Sequence, residues 1–142
     1  MCSSDLAGSR LATGARDLPT LVIAGPDAPD EAAERLAELG VVVERVGLDA
    51  EGHVDLREAL SALCARRITR VFSEGGPRLA ARLIASGLAD AVALFAAERT
   101  LGRPGFPALS DEARATLMDP AQYRLVQAAN YGPDTMRLWE RL

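Results

Sequence analysis

"FSEGGPRLAARLIASGLAD" (residues 72–90) is the stretch on which the reading of this chain turns. A short apolar run ends in Ser-Glu-Gly-Gly-Pro, and a segment of helical periodicity follows at once. Gly75 and Gly76 lack a Cβ, so the backbone can turn sharply there and a ligand can approach it closely. Pro77 suits the first position of a helix, because the N–H it lacks would find no partner there. Leu79, Leu83 and Ile84 form one apolar stripe, and Gly87 ends the segment. The pattern predicts a strand over 68–76 that hands over to a helix over 77–87.

The neighbouring segments repeat the alternation. "TLVIAG" (20–25) reads as a buried strand. The helix expected over 27–40 has Pro29 and acidic residues at its start and Gly40 at its end. Ala33, Leu36, Ala37 and Leu39 give it a narrow apolar side. "VVVERVG" (41–47) is β-branched and reads as a second strand. A turn-rich connection leads to a helix over 55–67, where Asp55 and Glu58 resemble a capping box. Leu56, Ala59, Leu60, Leu63 and Cys64 share one face of it, which makes Cys64 a small core residue. "DAVALFAA" (90–97) reads as a fourth strand, and 98–120 as a Gly- and Pro-rich loop with a short helical turn. In that loop Asp111, Glu112 and Arg114 read as solvated. The tail, 123–142, reads as two strands around Asn-Tyr-Gly-Pro-Asp, a turn sequence. Tyr131 and Trp139 are expected to pack in this hairpin. The order predicts an α/β fold, a mostly parallel sheet with an antiparallel C-terminal hairpin.

The chain has 142 residues, enough to bury a core in one domain, with a net charge of −4. No basic stripe points to nucleic acid. No apolar run is long enough to span a membrane, and the first residues lack the basic start and apolar centre of a signal peptide. Cys2 and Cys64 form no metal-ligand spacing, and His53 reads as a surface-loop histidine, so no metal site is expected. The expected compartment is the reducing cytoplasm. Asp90 is read as a cap or ion-pair partner at the start of the fourth strand.

The chemistry is expected beyond the carboxyl end of strand 68–76, where open α/β sheets bind ligands. The amides at the start of the next helix, with its dipole, favour a phosphate or similar anion. Arg78 and Arg82, one turn apart, can add cationic contacts. Glu74, read as a carboxylate at a buried strand end, needs hydrogen-bond partners, which a ligand ring bearing N–H groups would supply. The plain structural alternative is that Gly-Gly-Pro only makes a corner. It is neither a GxGxxG fingerprint nor a Walker loop.

These residues carry a resemblance. "VFSEGGPRLAARLIASGLADAVALFAAERTLG", "YGPDTMRLW" and "SRLATGARDLPTLVIAG" are similar to the reductase domain of riboflavin-biosynthesis deaminase–reductases, which have a dihydrofolate-reductase-like fold. The resemblance runs from about residue 9 to the end. It implies a three-layer α/β/α arrangement and NADPH-dependent reduction of 5-amino-6-(5-phosphoribosylamino)uracil to the 5-phosphoribitylamino product. It further implies that Glu74 contacts substrate and that Gly75, Gly76, Pro77, Arg78, Leu79, Ala80, Ala81 and Arg82 hold NADPH. No catalytic residue is assigned. By this resemblance 1–8 is a ragged leading segment, and 9–142 is a single reductase-like domain lacking its N-terminal half. The isolated chain is then expected to be weakly active or inactive, and prone to self-association through an unpaired sheet edge. A homodimer through the sheet edge or hairpin is the expected assembly. Two other readings stand beside this one: a pterin-type reductase of the same fold, and a non-catalytic nucleotide-binding or dimerisation module.

Overall fold

The structure is a computed structural model and describes residues 6–100, 102, 103 and 105–142. The chain divides into two compact units, one ending at Val71 and the other beginning at Phe72.

The first unit is a strand–helix–strand crossover with a helix on either side of it in sequence. A short helix α1 (Arg10–Thr13) is capped by Ser9, whose hydroxyl accepts from the Ala12 amide. Strand β1 (Leu21–Ala24), helix α2 (Asp30–Glu38) and strand β2 (Val42–Arg45) follow, with β1 and β2 parallel in the register Leu21↔Val42 to Ala24↔Arg45. Ala12, Ala15, Leu36 and Val41 form the buried core. The strands owe their place to β-branched residues, Val22 and Val43 among those packed on that core. Helix α3 (Leu56–Ala65) begins at Asp55, whose carboxylate accepts from the Arg57 and Glu58 amides. The expected capping box is only half made. Glu58 does not reach back to Asp55; its carboxylate accepts from the Gly47 amide at 2.6 Å, while Asp55 N–H donates to the Gly47 carbonyl. Glu58 thus fastens the helix to the end of the preceding strand. Ala59 is buried, but Cys64 is exposed, which corrects its reading as a core residue.

Three helices end in the same way. After α2, α3 and helix α4 (Pro77–Ala85), the residue past the cap and the one after it donate back to carbonyls of the last turn. The bonds are Gly40→Ala37 and Val41→Leu36, Arg67→Cys64 and Ile68→Leu63, Gly87→Ile84 and Leu88→Leu83. This is the Schellman pattern, which needs a left-handed residue at its corner. Gly40 and Gly87 supply it, as their sequence positions predict, with φ of 92° and 63°. Arg67 takes the same corner with φ 65°, as the one described non-glycine residue in that region. A side chain there crowds its own carbonyl by roughly 1–2 kcal/mol, and glycine returns part of the gain as chain entropy. Arg67→Gly is therefore expected to stabilise the chain by about 0.5–1 kcal/mol, read as a rise in the urea midpoint without a change in slope.

The second unit is an antiparallel sheet with two helices on it. Strands β3 (Ala91–Ala96), β4 (Tyr123–Tyr131) and β5 (Asp134–Arg141) lie in the order β3-β5-β4, and helix α5 (Asp111–Met118) precedes β4. The β4–β5 turn falls where Asn-Tyr-Gly-Pro-Asp placed it, with Tyr131 opposite Asp134. Ile84, Leu109, Ala113, Leu117, Tyr123 and Trp139 make the core. Trp139 is buried as expected, whereas Tyr131 is exposed and meets the Phe95 ring at a centroid distance of 6.2 Å. Asp90 pairs with Arg141 at 2.8 Å, which raises the Arg141 pKa and ties the start of β3 to the end of β5. The loop expected over 98–120 contains α5, capped by Ser110, and Asp111, Glu112 and Arg114 are exposed on it as expected.

Tyr123 joins the helical layer to the strands. Its hydroxyl donates to the Ala89 carbonyl at 2.7 Å, and burial raises its pKa. A raised folded-state pKa means the stabilisation is complete below the unfolded tyrosine value near 10. It fades as pH climbs through the folded value. Tyr123→Phe should cost about 1 kcal/mol at neutral pH. The gap from wild type should narrow in melts run above pH 10.

Two expectations about the sheet are corrected. Residues 68–76 form no strand, and the strands make two separate sheets rather than one mostly parallel sheet. The sequence Ile-Thr-Arg-Val-Phe does favour extended backbone. A strand, however, is made by ladder hydrogen bonds to a neighbour, and propensity alone supplies none. Ile68, Val71 and Phe72 are accordingly exposed.

Candidate functional site

The site expected from the sequence is the turn into α4. Gly76 is the N-cap and Pro77 opens the helix, as predicted. The Gly76 carbonyl accepts from the Leu79 and Ala80 amides at 3.0 and 3.2 Å, which closes the first turn. The two glycines serve different ends. A Cβ on Gly75 would stand 2.6 Å from Leu79 Cδ2 and 3.2 Å from Leu79 Cβ, so Gly75 lets Leu79 fold back over the turn. A Cβ on Gly76 would meet nothing within 4 Å, so open space lies beside that backbone.

The described helices differ at their N-termini. Ser9, Asp55 and Ser110 cap α1, α3 and α5 with their side chains, and α2, without such a cap, has Asp30 and Glu31 in its first turn. Helix α4 has neither a side-chain cap nor an acidic residue in its first turn. Pro77 has no N–H and the Leu79 and Ala80 amides turn to the Gly76 carbonyl, so the Arg78 amide and the positive end of the dipole are what this helix start offers to water or to a bound anion.

The flanking side chains are distributed as follows. Residues 71–79 are exposed, including Glu74 and Arg78. The buried setting expected for Glu74 is therefore corrected. The strand that would have enclosed it has no paired neighbour, so solvent reaches the carboxylate. Ala80, Ala81 and Arg82 are half-buried, and Arg82 is already engaged. Ala81 packs on the core of the second unit. The structure thus brings Gly75–Arg82 together as one helix start and leaves Glu74 beside it on the incoming chain.

Two other arrangements were not foreseen. A groove of about 530 Å³ in the second unit is lined by Leu117, Trp139 and Arg137, among others; residues 74–82 do not line it. In the first unit Asp49, Glu51 and His53 place one ligand atom each within 4.8 Å of one another, a carboxylate cluster beside His53 that the sequence reading does not contain. Asp49 Oδ1 there accepts from the Glu51 and His53 amides and builds the turn. Spacing i, i+2, i+4 in a Gly-containing loop is the signal that points to such a turn. Among the described residues no helix is long and apolar enough to cross a membrane.

An α/β chain whose Gly-Gly-Pro helix start is left without its own cap has the features of an anion-binding turn in the nucleotide-handling classes of α/β proteins. Comparison with known sequences makes the assignment particular. The profile of the RibD C-terminal domain matches residues 5–136, and the chain belongs to that family, a riboflavin-biosynthesis reductase-type domain. It is also similar to the riboflavin biosynthesis protein RibD of Escherichia coli (strain K12), at 29% identity over 84 residues. That match takes in 59% of this chain and 23% of the relative.

Proposed function

We propose that this chain carries the NADPH-binding site of a reductase acting on 5-amino-6-(5-phosphoribosylamino)uracil, giving the 5-phosphoribitylamino product. The observation that carries the reading is the start of α4, which lacks both a side-chain cap and first-turn acids and has open space beside Gly76. A dinucleotide pyrophosphate fits such a place, because it needs backbone amides, positive dipole and close approach. Gly76, Pro77, Arg78 and Leu79 would hold it. Ala80, Ala81 and Arg82 on the following turn would back the helix start and extend the contact. Glu74, exposed beside the turn, would accept hydrogen bonds from N–H groups of the uracil ring and so orient the ribosyl carbon toward the cofactor. NADPH, when bound, supplies the hydride that reduces C1 of the sugar in its ring-opened imine form.

The wider assembly belongs to the same proposal: a dihydrofolate-reductase-like α/β/α layering in the cytoplasm, paired as a homodimer through the outer edge of the hairpin. Family membership supports the layered fold, and the outer edge of β4, unpaired among the described residues, supports the pairing. The test is a thermal melt with increasing NADPH and with NADH as the control. A ligand that binds only the folded chain raises the midpoint with concentration. A rise with NADPH and little with NADH is expected. A flat response to both, over a cooperative transition, would remove the cofactor site from this chain.

A further inference from the structure

We propose that the groove between the end of α5 and strands β4 and β5 is a binding site for a small amphipathic anion, a hydrocarbon body carrying one carboxylate. None of residues 74–82 lines this groove, so the inference goes beyond the cofactor reading and does not depend on it.

The groove is built on the core of the second unit. Leu117 and Trp139 are its buried lining, and Met118 and Leu125 line it with 53% and 49% of their surface exposed. Apolar side chains left half in water around one depression have surface still to bury. The volume, about 530 Å³, lies in the range of small-molecule sites.

The polar groups of the lining are of one kind. Arg124 of β4 and Arg137 of β5 line the groove, and no carboxylate side chain does. Neither guanidinium has a hydrogen-bond or ion-pair partner among the described residues. Arg137 stands two residues before Trp139, so the two share a face of β5. Its cross-strand neighbours are Leu94 and Ala128, which offer it no acceptor side chain. Arg124 stands at the rim, opposite Glu140 in the ladder but outside ion-pair distance of it. The indole N–H of Trp139 has no protein partner either, and it is not sealed from solvent. The Tyr123 hydroxyl, also in the lining, is spent on the Ala89 carbonyl. The free polar side-chain groups of the groove are therefore all donors.

That inventory selects the ligand. A donor-only site suits a head group that only accepts, and the planar guanidinium fork matches the two oxygens of a carboxylate. The lining offers no side-chain acceptor for an N–H or O–H. A hydroxylated or heterocyclic body would give up its hydrogen bonds to water and gain none, whereas a hydrocarbon body loses nothing. Met118, unbranched and adaptable, fits the wall to a flexible chain.

Trp139 is the only tryptophan of the chain, so its emission reads the groove directly. Decanoate, added below its micelle concentration, is the probe, with decyltrimethylammonium as the control of opposite charge and a thermal melt beside each titration. The expected result is a saturating change in emission and a midpoint that rises with decanoate, and neither with the cation. Arg137→Gln should melt as wild type does, because its guanidinium has no partner to lose. It should bind decanoate about tenfold more weakly, for want of one charge-assisted contact. An emission change that never saturates, an equal response to the cation, or an Arg137→Gln chain that binds as wild type does overturns the site. So does a midpoint that falls with decanoate, which marks a detergent acting on the unfolded chain. An emission change that follows protein concentration and ignores decanoate gives the groove to a second copy of the chain and overturns the proposal as well.

Discussion

Leu117→Ala is expected to lower the unfolding free energy by about 3 kcal/mol, a large share of what a domain of this size commands. Leu117 is the largest fully buried side chain described, with 0% exposure, and it sits in the cluster with Ile84, Ala113, Tyr123 and Trp139. Removing three carbons there loses their transfer energy and leaves a cavity that neighbours fill only in part. The sheet side of this cluster is held by cross-strand neighbours, with Trp139 opposite Val92 on one side and Leu125 on the other, so it has little freedom to collapse inward. Trp139 is the only tryptophan of the chain and reports on this cluster directly. Urea titration followed by its fluorescence should show the midpoint fall. The adjacent Met118 is 53% exposed, and Met118→Ala should cost well under 1 kcal/mol. Equal effects from the two variants would mean that the cluster is not the stabilising core of the second unit.

Gly76→Asp separates binding from folding. Gly76 has φ −62° and ψ 171°, a conformation any residue adopts as an N-cap, and the space beside it is open. Aspartate is a better N-cap than glycine by a few tenths of a kcal/mol, so the variant should be as stable as wild type or slightly more so. The same carboxylate places a negative charge where the proposed pyrophosphate rests and occupies the amide it would use. Two like charges a few ångströms apart in a partly screened site repel by roughly 1–4 kcal/mol. NADPH binding should therefore weaken tenfold or more, at about 1.4 kcal/mol for each tenfold step. Calorimetric titration of the variant, beside its own melt, measures both sides. Wild-type affinity in a stable Gly76→Asp chain would show that α4 does not hold the anion. Glycine-to-aspartate is seldom a conservative change, and here its harmlessness to the fold is what makes the binding result informative.

The features legible in the sequence are those fixed within a few residues. Asn-Tyr-Gly-Pro-Asp announced the β4–β5 turn, and Gly40 and Gly87 announced two helix ends, because a turn or a cap is set by local backbone angles. Asp55 was recognisable as an N-cap for the same reason. Pro77 marked the start of α4. The third helix end was concealed, because Arg67 occupies a corner that glycine usually signals. Helix α5 reads in the sequence only as a short helical turn, since Gly and Pro upstream of it make the segment look like loop.

What the sequence determined alone, then, was the order of most elements, their caps and the composition of the turn at Glu74–Pro77, since each depends on neighbours three or four residues away. Only the tertiary structure decided that 68–76 stays unpaired, that Cys64 faces solvent, that Glu58 holds Gly47 instead of closing a capping box, and that Glu74 lies open beside an uncapped helix. Those outcomes depend on which surfaces meet. A β-branched run has the same local preferences whether or not a second strand lies alongside it, and a carboxylate is buried or exposed according to what packs over it.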